Sequence, residues 1–271
     1  MTSEMKPKSP IFSEFIFQLL ALVISAIVVH AVYVTVVRPR ADDFSKKEKA
    51  AMAVDSDHVS KRSFYVVIRD YEQEICFILM FWALASMGYK GLAMMRARSM
   101  LQDDLIPLGE GIRILPEDSR DLQGKLNALS PARRASLLPR ALLAALHRFD
   151  SARNVQDVSD AARTICAAEG ERLESELSLI RYIVWAIPSV GFIGTVRGIG
   201  QALGLAHKAV EGDISGVTAN LGVAFNSTLI ALLISIVVMF IVHQLQLTQE
   251  RYVLDAEAYC EEKLVRHLHT R

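Results

Sequence analysis

Four stretches of the chain stay apolar long enough to cross a bilayer, and the segments between them are rich in charge. A hydrocarbon core of about 30 Å needs roughly 20 apolar helical residues. Residues 15–37 hold no charged side chain, and Gln18, Ser25, His30 and Thr35 are their notably polar members. This run exceeds the apolar core of a cleaved signal and is followed by Arg38-Pro39-Arg40, so it is expected to stay as a first span. Residues 75–95 contain one charge, Lys90, near enough to the end for its aliphatic stem to carry the ammonium toward headgroups. Residues 182–206 contain Arg197 and five glycines. Residues 217–242 carry no charge but include Thr218, Asn220, Asn226, Ser227, Thr228 and Ser235. The pattern predicts an all-α, polytopic membrane protein with four transmembrane helices.

The flanks predict the orientation. Lys6 and Lys8 precede the first span, and Arg96 and Arg98 follow the second. Basic residues beside a span favour the cytoplasmic side. With an even number of spans, residues 1–14 and 243–271 both fall in the cytoplasm. Residues 38–74 then form a periplasmic loop and 207–216 a periplasmic turn. Residues 96–181 form a cytoplasmic domain, in which 137–149 and 155–180 place apolar residues three and four apart, as amphipathic helices do. Ser130-Pro131 suits a helix start. The charged, amphipathic segment after His243 is expected to prolong the fourth span as a helical tail.

Composition narrows the reading. The chain is 52% apolar yet 22% charged, as expected of spans alternating with soluble segments, and its formal net charge is zero. No basic field points to nucleic acid. Cys76, Cys166 and Cys260 lie far apart with no metal-ligand spacing, so they read as free thiols, and no metal or cofactor is expected. No nucleophile, base and orienter stand together, so no catalytic residue is assigned and the chain is not read as an enzyme.

The third and fourth spans carry the informative residues. Gly194 and Gly198 form one G-xxx-G pair and Gly200 and Gly204 a second, with Gly191 one turn before them and Pro188 near the start. In lipid, small residues at this spacing let helices approach closely, so these positions are expected to pack an oligomer. In the fourth span Asn220, Ala224, Ser227, Ala231 and Ser235 recur every three or four residues as one small, partly polar face, with Thr228 beside it. Leu221, Phe225, Leu229 and Ile236 lie opposite. A single hydroxyl in a membrane helix commonly bonds its own backbone. A whole polar stripe beside a glycine-rich span also suits a hydrated ion path.

Pro188-Ser-Val-Gly-Phe-Ile-Gly-Thr-Val-Arg-Gly-Ile-Gly200, then Val223-Ala-Phe-Asn-Ser-Thr-Leu-Ile-Ala-Leu-Leu-Ile-Ser-Ile236, resembles the signature of the MotA/TolQ/ExbB proton-channel family. That family shows P-x-x-G-x-x-G-T-V-x-G in one span and a small-residue span with a central threonine next. The resemblance covers about 65 residues from Tyr182 onward. It implies an inner-membrane, proton-driven motor: a homopentamer of this subunit around a dimer of single-span partners of the MotB/TolR/ExbD type, whose aspartate carries the proton. Thr195 stands at the threonine of the G-T-V motif and Thr228 at the central threonine of the last span. Ser227 and Asn226 beside Thr228 complete the implied ion path.

Some features depart from the family or stay open. Val223 stands where some transport members carry a glutamate, so spans three and four offer no acid and a partner must supply it. Four spans bring the layout nearer to flagellar stators than to the three-span TolQ and ExbB. Arg197 either snorkels to the interface or contacts a neighbouring subunit or partner. His30 and Gln201 read as ordinary packing residues. Sodium is not excluded as the ion, and a non-conducting oligomeric scaffold is the rival from another class. A secondary transporter is disfavoured because the halves show no repeat. The resemblance does not distinguish flagellar, Tol-type, transport, gliding and defence roles.

Overall fold

A computed structural model describes residues 10–54, 63–102, 105–106, 113–115 and 117–269. Residues 1–9 of the expected N-terminal segment therefore lie outside the described residues, as do the middle of the 38–74 loop and parts of 103–116. Among the described residues the fold is helical, and its one bridge of β type joins Ile114 to Leu268. Four helical stretches, Glu14–Glu48, Tyr71–Ser99, Val155–Gly204 and Ser215–His267, are long and apolar enough to cross a membrane. The chain divides into two compact units, one of residues 1–87 and 179–242, the other of residues 88–178 and 243–271.

The first unit holds the spans. Helix α1 (Pro10–Val32) runs into a π-helical turn, Tyr33–Val37, and then into α2 (Arg38–Val54). The helix therefore continues through the Arg-Pro-Arg sequence into the segment expected as the periplasmic loop. Pro39 has no N–H to give the carbonyl four residues back. The widened turn just before it, in which the Arg38 N–H bonds the Tyr33 carbonyl, absorbs that defect. After the short α3 (Phe64–Val67), α4 (Tyr71–Ser99) begins four residues before the expected span and brings Glu72 and Glu74 into the helix. Helix α4 is tied to α1 through Gln18: the Trp82 indole donates to its backbone carbonyl (3.0 Å) and the Ser86 hydroxyl to its side-chain oxygen (2.6 Å).

The second unit is built from α5 (Asp118–Asn127), α6 (Pro131–Arg134), α7 (Leu137–Ala152) and α8 (Val155–Glu176). Helix α7 ends at Arg153, whose positive φ of 48° makes the turn, and Asn154 caps α8 by accepting from the Gln156 N–H at 3.0 Å. The apolar periodicity read over 137–149 and 155–180 becomes a core of Leu138, Leu142, Leu146, Phe149, Val158 and Cys166. The C-terminal segment is part of that core rather than an appendage, because Tyr252, Cys260, Leu264 and Leu268 are buried in it. Lys90 does not snorkel: it is 5% exposed and pairs with Glu176 at 3.1 Å.

Helix α9 (Ser178–Gly204) leads through α10 (Ala206–Val210) to α11 (Ser215–Tyr259), which carries the fourth span and runs on beyond His243 without a break. The two helices α9 and α11 position the candidate site.

Candidate functional site

The seam between α9 and α11 is made by small residues on both sides. A Cβ placed on Gly191 would stand 2.5 Å from the Ala231 Cβ, and one on Gly194 2.5 Å from the Ser227 Cβ. One on Gly198 would stand 2.8 Å from the Ala224 backbone nitrogen and 2.8 Å from the Asn220 carbonyl. Real Cβ atoms do not approach this closely, so only glycine admits α11 at this distance. The close approach expected between subunits is thus, for these three glycines, made inside one chain. Gly200 and Gly204 have no such neighbour within 4 Å, and both are exposed. Pro188 lies inside α9, half-buried, three residues before the first contact glycine.

From Ala224 onward the predicted faces of α11 are the observed ones, while Asn220 and Leu221, predicted on opposite faces, are both half-buried. Ala224, Ser227, Ala231 and Ser235 are buried, while Phe225, Leu229 and Ile236 are exposed. The polar side chains along the seam divide into two kinds. Ser227 donates to the Val223 carbonyl at 2.5 Å, Ser235 to the Ala231 carbonyl at 2.8 Å and the Asn220 amide to the Gly216 carbonyl at 2.9 Å. These are bonds of the helix to itself, the bland alternative for such side chains. Asn226 is half-buried beside the stripe.

Thr195 and Thr228 differ, because they reach across the seam. Their hydroxyls hydrogen-bond each other. Thr195 Oγ1 also lies 3.1 Å from the Ala224 carbonyl and 3.3 Å from the Gly191 carbonyl, and Thr228 Oγ1 lies 3.3 Å from the same Gly191 oxygen. Each hydroxyl has one proton and two lone pairs. Either can donate to the other while the second donates to a backbone carbonyl, so the pair can run its hydrogen bonds in two directions. Half-buried on a helix pair, it can pass a proton or solvate a cation without holding a fixed charge.

A cluster of charges occupies one end of this unit. Glu72 accepts from Arg197 twice, Nε to Oε1 at 2.6 Å and Nη2 to Oε2 at 2.7 Å. Glu74, also buried, accepts from His30 Nδ1 at 2.6 Å and from Arg38 at 2.5 Å, and the Arg38 guanidinium lies 4.5 Å from the Tyr71 ring centre. Burial holds the Asp70 carboxyl above the usual carboxylate range, opposed by the nearby Arg69 and Arg197. Arg197, expected to snorkel or to meet another chain, thus has a partner in its own chain, as does His30. The carboxylates were missed because each sits just before an apolar run, where a charge reads as a loop flank. Gln201 is exposed. Cys76, Cys166 and Cys260 are free and buried, and among the described residues no group of three His, Cys, Asp or Glu side chains could hold a metal ion.

A model of the MotA/TolQ/ExbB proton channel family matches residues 133–258. The matched segment takes in α9, α11, the glycine seam and the Thr195–Thr228 pair, and leaves out α1, α4, Glu72 and Glu74. No curated protein and no solved structure matches the chain.

Proposed function

Residues 133–258 belong to the MotA/TolQ/ExbB proton channel family, and from that premise we propose that the chain is the ring-forming subunit of a proton-motive-force-driven motor in the inner membrane. Both termini lie in the cytoplasm. Five copies surround a dimer of a single-span partner that brings a proton-accepting aspartate, and proton flow past that aspartate drives rotation or other mechanical work. The observation that carries this reading is the Thr195–Thr228 hydroxyl pair, which stands at the two threonine positions of the family signature and joins the two helices that hold them. A hydroxyl pair with two hydrogen-bond directions can donate to an ionised carboxylate or relay through water, and it leaves no permanent charge on the path. Ser227 and Asn226 flank it as the polar wall, and lipid covers the exposed apolar faces.

The test is purification of the chain with its membrane partner, a count of subunits in single particles, and flux measurement in vesicles under a proton or a sodium gradient. Five copies around two single-span chains, with flux under a proton gradient, is the expected result. Flux under a sodium gradient alone would reassign the ion. A ring without a partner and without flux would make the chain a scaffold.

A further inference from the structure

Arg197 follows Thr195 by two positions on α9 and cannot lose its charge under physiological conditions. Two residues apart on a helix, the side chains point to widely separated directions, so Thr195 faces α11 while Arg197 reaches Glu72 on α4. The pairing is bidentate, and Glu72 is buried, its side chain 9% exposed. The other buried carboxylate nearby, Glu74, is engaged with His30 and Arg38. Gly194 belongs to the same arrangement, because a Cβ there would stand 3.0 Å from Glu72 Cγ. The missing side chain leaves the room in which the Glu72 stem reaches Arg197.

We infer that Glu72 is a charge screen for the ion path: its carboxylate cancels the Arg197 charge beside the Thr195–Thr228 pair. The inference rests on the proposed cation-conducting role, and it assigns a positioning residue outside the matched segment to the site inside it. Asp70, the other carboxylate that acts on Arg197, is paired with Arg69, so without Glu72 the guanidinium charge is left largely uncancelled. Such a charge on the order of 10 Å from a moving cation, at an effective dielectric constant of about 20, raises the barrier enough to slow passage roughly tenfold. A screen and a simple strut between α4 and α9 behave differently on mutation. A carboxyl left alone can take up a proton and become neutral, whereas a guanidinium left alone stays charged. A screen is therefore needed only while Arg197 is present, but a strut needs both ends.

The experiment compares wild type, Glu72→Gln, Arg197→Gln and the double variant, each purified with the membrane partner. Proton uptake into vesicles is read with a pH-sensitive dye under a potassium-diffusion potential, and assembly is read as particle mass. Glu72→Gln should lower flux roughly tenfold, while Arg197→Gln and the double variant should stay within about threefold of wild type. Equal flux in Glu72→Gln and wild type would overturn the screen, and so would equal losses in all three variants. If Glu72→Gln fails to assemble, Arg197→Gln decides: retained flux supports the screen, and lost flux makes the pair a strut. Absence of flux in wild type would overturn the conduction reading, and this one with it. Wild-type flux with an unaffected Glu72→Gln overturns only the screen.

Discussion

Gly198 lies so close to Ala224 that a methyl group added at position 198 would stand 2.8 Å from both the Ala224 Cβ and its backbone nitrogen. Neither atom is the far end of a flexible side chain, so the helices would have to separate. Gly198→Ala should therefore destabilise the folded chain by about 1–3 kcal/mol, the usual cost of overpacking. Gly194→Ala should cost a comparable amount, since the Ser227 hydroxyl and the Glu72 stem can shift but the Ser227 Cβ, 2.5 Å from the added methyl, is fixed to its backbone. Thermal unfolding in detergent measures both. Equal melting temperatures for wild type and Gly198→Ala would show that the α9–α11 seam is looser than described.

Gly200 and Gly204 test a different contact. No atom outside their own helix lies within 4 Å of an added Cβ, and Val196 and Leu203 beside them are about 70% exposed. If the ring proposed above packs through this face, Gly200→Leu or Gly204→Leu should lower the particle mass while leaving the melting temperature of the chain nearly unchanged. Full mass in both variants would move the subunit contact elsewhere.

Much of this was legible in the sequence because it depends on local periodicity. Runs of about 20 uncharged residues mark spans wherever they occur, and the three-to-four spacing of Ala224, Ser227, Ala231 and Ser235 predicted the buried face of α11. What a face meets is a separate matter. The glycines of α9 signalled close packing, but no spacing says whether the neighbour is α11 of the same chain or a helix of another. Glu72 and Arg197 are 125 residues apart, and their pairing leaves no mark in either helix's pattern. The helix through Pro39 was hidden because a π-turn, which has no sequence signature of its own, carries it.

Orientation rests on the flanking basic residues and can be checked directly. A reporter fused after Arg271 should give a cytoplasmic signal, and Ser56→Cys should react with a membrane-impermeant maleimide added outside. Residue 56 lies outside the described residues, in the segment joining α2 to α3. The three native cysteines are buried and should give little background. Labelling at position 56 only after permeabilisation would invert the topology.

The C-terminal segment should matter for the fold of the second unit. Leu264 is fully buried in the core that holds Leu142, Leu146 and Phe149. Leu264→Ala removes apolar contact and leaves a cavity, at about 2–5 kcal/mol. The basic residues Arg133, Arg134 and Arg140 should then become faster trypsin sites, while the spans stay intact. Unchanged digestion kinetics would mean that the tail packs more loosely than its burial indicates.

The hydroxyl pair gives the prediction closest to mechanism. Thr195→Val and Thr228→Val each keep side-chain volume and shape while deleting one hydroxyl. The fold should tolerate both, because the surviving hydroxyl keeps a backbone acceptor. Thr228 retains the Gly191 carbonyl at 3.3 Å, and Thr195 retains the Ala224 carbonyl at 3.1 Å. A net loss of about 1 kcal/mol in stability is expected for one hydrogen bond. Transport should suffer more. With one hydroxyl gone, the other can no longer exchange donor and acceptor roles across the seam, and a partner carboxylate in a low-dielectric setting lacks one donor. Losing that donor at the barrier costs about 1–3 kcal/mol, which slows proton passage roughly tenfold to a hundredfold. Thr195→Ser and Thr228→Ser preserve the hydroxyl and should keep most of the flux. Asn226→Ala should be milder than either valine variant, since Asn226 stands beside the seam rather than across it. Particle mass and partner content, measured on the same preparations, separate a transport defect from failed assembly. Normally assembled valine variants that conduct at the wild-type rate would remove Thr195 and Thr228 from the path.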